Sequence, residues 1–297
     1  MQALWMLLAA LFFSTMGVCI KLASAHFNSF EIVAYRGVIG MVFLLAYTRS
    51  RGISLATTVP MMHVWRSIVG TIALTSWFYA IAALPLATAI TLNYMSSVWI
   101  ATFLLGGALL LQSRQTPMRR QGPLFLTVLA GFGGVALMLR PTLNEDQVVG
   151  ALVGLLSGIF SAFAYLQVAS LARVGEPESR TVFYFSVGAV IAGLLGTLFV
   201  GFSPWRWPSV LWLLPIGLLA VFGQLCMTRA YSRGATMVVA NLNYAGIVFA
   251  GLYGITIFGD QLPLSGWAGM ALIIVSGILA TALRERAVPH APAEEHS

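Results

Sequence analysis

Two asparagines in apolar surroundings are the first residues that could do chemistry here. Leu92-Asn93-Tyr94 recurs as Leu242-Asn243-Tyr244, 150 positions later. A buried carboxamide must find hydrogen-bond partners or a ligand. Around Asn93 lie Thr91, Met95 and Trp99, with Thr91, Met95 and Trp99 at four-residue spacing on one helical face. Around Asn243 lie Asn241 and Tyr244. Trp77 and Tyr79 stand upstream of the first tripeptide, Gln224 and Met227 upstream of the second, and Ser14, Phe163 and Tyr165 lie in other apolar runs. Such a set can stack on and hydrogen-bond a small molecule with an apolar or aromatic body. It holds no metal cluster, no acid pair and no nucleophile with its base, so no catalytic site is expected. No metal or other cofactor is expected either.

Four ionisable residues group at one end of the apolar segments: Lys21, Glu31, Arg36 and Asp260. They are expected to form an outer vestibule, where Arg36 pairs with Glu31 or Asp260, attracts a carboxylate, or snorkels to the interface. No Asp, Glu or His lies near the middle of an apolar run, which predicts transport without a proton relay. Basic residues are also expected to be missing from the helix middles, which argues against a phosphate-bearing substrate.

The elements that must hold these residues are apolar helices. Of 297 residues, 59% are hydrophobic and 8% charged, against roughly 25% charged in soluble domains. Mean hydropathy is +0.89. These values exclude a soluble enzyme, a nucleic-acid binder and a disordered chain, and the net charge of +7 is a topology signal rather than a nucleic-acid one. Uncharged runs place helices near 3–23, 30–48, 64–84, 86–110, 122–139, 149–173, 180–201, 209–231, 234–258 and 265–284. The fold class is thus an all-α polytopic membrane protein with ten spans. Cys19 and Cys226 lie in apolar runs and are expected to be free.

Arg49, Arg51, Arg66, Arg114, Arg119, Arg120, Arg173, Arg180, Arg229, Arg233, Arg284 and Arg286 fall on one side of a ten-span chain. Lys21, Arg36, Arg140 and Arg206 fall on the other. Both termini are therefore expected in the cytoplasm. Ala80 with Ala230, Phe12 with Phe160, Tyr35 with Tyr184 and Gly133 with Gly277 extend the internal match. Five helices per half is an odd number, so equivalent helices cross in opposite senses. That predicts a 5+5 inverted repeat with a site near the midplane and alternating access. The expected units are 1–141, 148–286 and a disordered cytoplasmic tail, 287–297. The four-residue repeat Gly150, Gly154, Gly158 predicts a close helix contact.

Two five-helix halves, an Asn-Tyr pair in each fourth helix and Gly259-Asp260 before the last helix together resemble the drug/metabolite transporter superfamily, EamA family. Within it the chain is most similar to the YddG-type aromatic amino acid exporters of bacterial inner membranes. Asp260 holds the place where such proteins often carry Glu, and Leu110-Leu111 replaces the matching pair in the first half. The resemblance implies a monomeric, lipid-embedded exporter of aromatic and other large apolar amino acids. It also implies a cavity lined by Ser14, Trp77, Tyr79, Thr91, Asn93, Met95, Trp99, Phe163, Tyr165, Gln224, Met227, Asn241, Asn243 and Tyr244. A proton-coupled multidrug or metabolite efflux carrier, a lipid flippase and a membrane-embedded enzyme are the alternatives.

Overall fold

The computed structural model describes residues 2–96, 98–100, 102–103, 123, 126–127, 129–131, 133–135, 137, 145–204, 207–233, 242 and 244–287. Among these residues there are helices and no strands. They are α1 (Gln2–Ala23), α2 (Ser29–Ser50), α3 (Pro60–Ala83), α4 (Leu86–Tyr94), α5 (Glu145–Arg173), α6 (Glu178–Val200), α7 (Leu213–Arg233), α8 (Ala245–Tyr253) and α9 (Leu264–Ala287). The described positions between 123 and 137 are also helical. Among the described residues, five stretches are long and apolar enough to cross a membrane: Leu4–Ala23, Ser29–Ser50, Gln147–Arg173, Glu178–Val200 and Ser209–Ser232.

Local chemistry explains where these helices begin and end. Asn28 and Glu31 form a reciprocal capping box at the start of α2. Pro60 opens α3, where its missing N–H costs nothing, and Pro85 forces Leu84 into extended backbone and closes it. Gly259 adopts φ +65°, the left-handed conformation that ends a helix cleanly. The ends of α3 and α4 recruit two of the charges expected in a vestibule. Lys21 donates to the backbone oxygens of Leu84 and Ile81, and Asp260 accepts from the Leu86 N–H at 3.2 Å. Glu31 accepts from Ser203 N at 2.7 Å and Ser203 Oγ at 2.6 Å, and does not pair with Arg36. Helix ends expose backbone groups that must be satisfied, and these charges fasten them.

In the first fourth-helix segment a turn falls at Met95 while helical bonding carries on through it: Met95 N–H donates to Thr91 O at 3.1 Å, and Met95 O accepts from Trp99 N–H at 3.0 Å. In the second, Tyr244 is a turn immediately before α8. A π-helical stretch, Gly254–Phe258, then extends α8.

Packing rests on close backbone approach. Along α2 and α6 the contacts pair Phe30 with Gly196, Ala34 with Gly193, Gly37 with Val190 and Gly40 with Ser186, so the two helices cross antiparallel. A Cβ at Gly37 would stand 2.8 Å from Ser186 O. Gly150 faces Ala83, Gly154 faces Ala80 and Leu92, and Gly158 faces the Leu92 carbonyl. That face seats α5 on α3 and α4. Besides the α2–α6 pair, α1 packs along α7 and α3 along α5, α1 meets α8 as α4 meets α5, and α2 meets α7 as α3 meets α6. The scheme maps onto itself when α1–α4 exchange with α5–α8. Cys19 and Cys226 are free and buried.

Candidate functional site

Where the helices converge lies a chamber of about 50 Å³. Phe13 and Met16 enter it from α1, Arg36 from α2, and Arg66, Gly70, Leu74 and Trp77 from α3. Asn93 and Tyr94 come from α4, Ser161 and Tyr165 from α5, Phe185 from α6, and Gln224 and Met227 from α7. The space admits a few waters and falls well short of the roughly 300–1,000 Å³ of ligand pockets. A metabolite therefore requires the helices to part.

Its wall is aromatic. Phe13 meets Trp77 edge to face, 6.4 Å between centroids. Tyr94 is buried and lies against Gly246, where a Cβ would come within 2.7 Å of its hydroxyl. Among the described residues, Trp77 Nε1 and Tyr94 Oη have no hydrogen-bond partner.

The floor is cationic. Arg36 and Arg66 are each 4% exposed. Their guanidinium carbons stand 5.1 and 4.2 Å from the centroid of the Phe185 ring. No described hydrogen bond or ion pair engages either one, and Arg36 Nε, Arg66 Nε and Arg66 Nη1 are buried without a partner. Cation–π contact softens that burial without neutralising it. Gly70 makes the arrangement possible, since a Cβ there would collide with Arg66 Nη1. Among the described lining residues there is no Asp, Glu or His. Among the described residues no group of three His, Cys, Asp or Glu could hold a metal ion.

Two sequence expectations change here. Arg36 is not a vestibule or snorkelling residue; it turns into the bundle. Arg66 is not a loop residue marking topology, because α3 starts at Pro60 and carries it inward. Basic groups thus do face the interior. The signals were the depth of Arg36 in its run and the glycine four residues after Arg66.

Of the residues expected to line a cavity, Trp77, Asn93, Tyr165, Gln224 and Met227 do so. Asn93 also donates to Ser157 Oγ at 3.1 Å and Ser161 Oγ at 2.9 Å, which ties α4 to α5. Ser14 donates to the Gly246 carbonyl at 3.0 Å and joins α1 to the start of α8. Thr91 is spent on the Ala87 carbonyl at 2.6 Å, and Met95 and Tyr244 pack in the core. Tyr79 is 43% exposed and points out of the bundle. Trp99 and Phe163 flank Phe103, with ring centroids 6.2 and 4.6 Å away. Neither lines the chamber. Asn241 and Asn243 lie outside the described residues.

A second polar cluster occupies the corner between α5 and α6. Glu176 accepts from Thr57 Oγ1 at 2.7 Å and Arg180 Nη1 at 3.1 Å, and lies 3.2 Å from His63 Nε2. The His63 contact has ion-pair distance without hydrogen-bond alignment. Arg180 also donates to the Ser54 carbonyl from Nε at 3.1 Å and Nη2 at 2.8 Å, and Tyr184 donates to Leu55 O at 2.9 Å. Burial would raise the Glu176 pKa; hydrogen bonds from Thr57 and Arg180, the close approach of His63 and the Arg180 charge outweigh it and hold the carboxyl below its ordinary value. Beside this corner a vestibule of about 510 Å³ opens between Trp5, Tyr47, Glu178 and Arg229.

The EamA-like transporter family matches residues 1–140 and 148–282. The pseudopaline exporter of Pseudomonas aeruginosa is 33% identical over 281 residues, spanning 91% of this chain and 92% of the relative. A riboflavin transporter of Rhizobium johnstonii is 28% identical, spanning 93% and 89%. An S-adenosylmethionine uptake transporter of Rickettsia prowazekii is 24% identical, spanning 91% and 88%. A solved structure, described only as the crystal structure of a protein, superposes with a TM-score of 0.66 at 21% identity, covering 96% of this chain and 98% of that one. This chain belongs to the EamA-like transporter family and is a multi-pass membrane protein.

Proposed function

We propose that the protein is a secondary carrier that exports small metabolites of amino-acid type. Each would have an apolar or aromatic body and a carboxylate. The observation that carries this reading is the small chamber walled by Phe13, Trp77, Tyr94, Tyr165 and Phe185 and charged by Arg36 and Arg66. The relatives' names, a pseudopaline exporter, a riboflavin transporter and an S-adenosylmethionine uptake transporter, support small metabolites as cargo.

Ten spans in two inverted units, 1–141 and 148–286, is the architecture we infer. The family's two matched ranges, the antiparallel α2–α6 crossing and the exchangeable packing scheme support it. Alternating access follows, with one half rocking against the other to widen the chamber. Taking Arg36 and Arg66 out of the loop charges removes one from each side, so the bias that puts both termini in the cytoplasm of a bacterial inner membrane stands. The chamber's described lining holds no carboxylate or imidazole, which supports movement down a gradient without protons. A monomer suffices, since one chain supplies both halves.

Reconstituted protein should show saturable counterflow of labelled phenylalanine or tryptophan that is indifferent to a pH gradient. Flux of neither, from vesicles whose protein melts cooperatively, would reject the amino-acid reading. Flux that needs an imposed pH gradient would reject the uncoupled mechanism.

A further inference from the structure

We infer that the chamber is built for a dianion: a substrate with two negative charges on an apolar or aromatic body, bound between Arg36 and Arg66. This rests on the chamber being the substrate site.

The argument starts from charge balance. Two guanidinium groups, each 4% exposed, face one chamber and one phenyl ring. A cation in the apolar interior is tolerated when it pairs with an anion. The described lining supplies none. One carboxylate balances one of the two guanidinium groups and leaves room for a second negative charge. Two carboxylates, or one phosphate monoester, neutralise both. The unmet hydrogen bonds point the same way. Arg36 Nε, Arg66 Nε, Arg66 Nη1, Trp77 Nε1 and Tyr94 Oη are buried without partners. Four of these five atoms can only donate, and the Tyr94 hydroxyl can donate as well. A dianion offers several acceptor oxygens and can take a guanidinium fork at each end.

Gly70 shows that the place of Arg66 is specific. Any side chain at Gly70 would meet Arg66 Nη1, and would also come within 2.8 Å of the Phe185 ring. The guanidinium lies in a slot that glycine alone leaves open.

The test compares probes that share a phenyl body: phenylacetate with one charge, phenylsuccinate with two carboxylates, phenyl phosphate with a doubly charged ester, and phenylalanine as a zwitterion. Full-length protein is titrated with each at pH 8 and tryptophan fluorescence is followed; flux is measured in proteoliposomes. At least one dianion should bind tenfold or more tighter than phenylacetate. Arg36→Gln and Arg66→Gln should each bring that dianion to within threefold of phenylacetate. The preferred dianion tells carboxylates from phosphate. If one glutamine variant fails to fold, Gly70→Ala provides the same comparison with both arginines present. Equal binding of mono- and dianions, or a preference that survives both arginine changes, overturns the inference. Phenylalanine flux without dianion preference leaves the carrier standing and removes this inference; tight dianion binding without flux does the reverse.

Discussion

Arg180 and the Arg36–Arg66 pair live by different rules. Arg180 holds a carboxylate and a carbonyl: Glu176 takes Nη1, and Ser54 O takes Nε and Nη2. Arg36 and Arg66 are more deeply buried and hold neither; they share the Phe185 face. The chain can satisfy an arginine where it wants a fixed corner. In the chamber it leaves two unsatisfied, and that cost is rational where a mobile anion completes the site.

The sharpest way to break this contrast is to remove the chamber charges together. Arg36→Gln with Arg66→Gln should lower transport of anionic cargo by about a hundredfold, the size expected when two charge-assisted contacts of ~1.5 kcal/mol each are lost. The detergent-solubilised variant should melt no lower than the parent, since an uncompensated buried charge pair is gone. A large fall in melting temperature would mean the arginines hold the fold together.

At the corner the expectation reverses. Glu176→Gln should destabilise by about 2 kcal/mol, because the buried negative charge facing Arg180 and His63 is lost and one acceptor oxygen becomes an amide donor. Probe binding should stay within twofold of the parent. Acid should erase the difference between the two proteins. The Glu176 carboxyl titrates below its ordinary value when folded, so its contribution is complete above the unfolded pKa and disappears as pH falls through the folded one. Melting curves of parent and variant from neutral pH downward should converge; parallel curves would show that the carboxylate contributes nothing.

Smaller substitutions sharpen the geometry. Trp77 and Tyr79 are two residues apart on α3 and point opposite ways. Trp77→Ala should cost about 3 kcal/mol and weaken aromatic cargo, as truncation of a buried ring does. Tyr79→Ala should change stability by less than about 0.5 kcal/mol and leave flux alone. Equal effects would put the chamber elsewhere. Gly70→Ala should weaken anion binding about fivefold with less than ~1.4 kcal/mol of change in stability, since a Cβ there meets the movable end of Arg66.

Much of the fold was legible because it follows from short-range physics. A chain with 8% charged residues must bury its backbone polar groups in helices when it enters lipid. Pro60, Pro85 and the Asn28–Glu31 box mark helix limits in the chain itself. The repeated Leu-Asn-Tyr announced two related halves, and the Gly150–Gly158 spacing announced a close contact. Apolar aromatics were harder. Nothing local distinguishes Trp77 in the chamber from Tyr79 facing outward, or Phe185 in the chamber from Phe163 on its flank. Which face of a uniformly apolar helix turns inward depends on its neighbours.

Charge placement divided along the same line. By itself the sequence determined that Lys21, Glu31 and Asp260 lie near helix ends, because their positions in the apolar runs require it. Only tertiary structure decided that Lys21 and Asp260 would cap distant helix ends and that Glu31, beyond its local box, would hold Ser203, while Arg36 turned inward. Arg66 is the plainest case. Six residues from the start of α3, it could reach solvent or core, and the open slot at Gly70 and the Phe185 ring supplied by α6 draw it inward. Those partners lie four and 119 positions away. The glycine can be read locally; the ring arrives only when the two halves pack, and a side chain's direction is chosen by what it meets there.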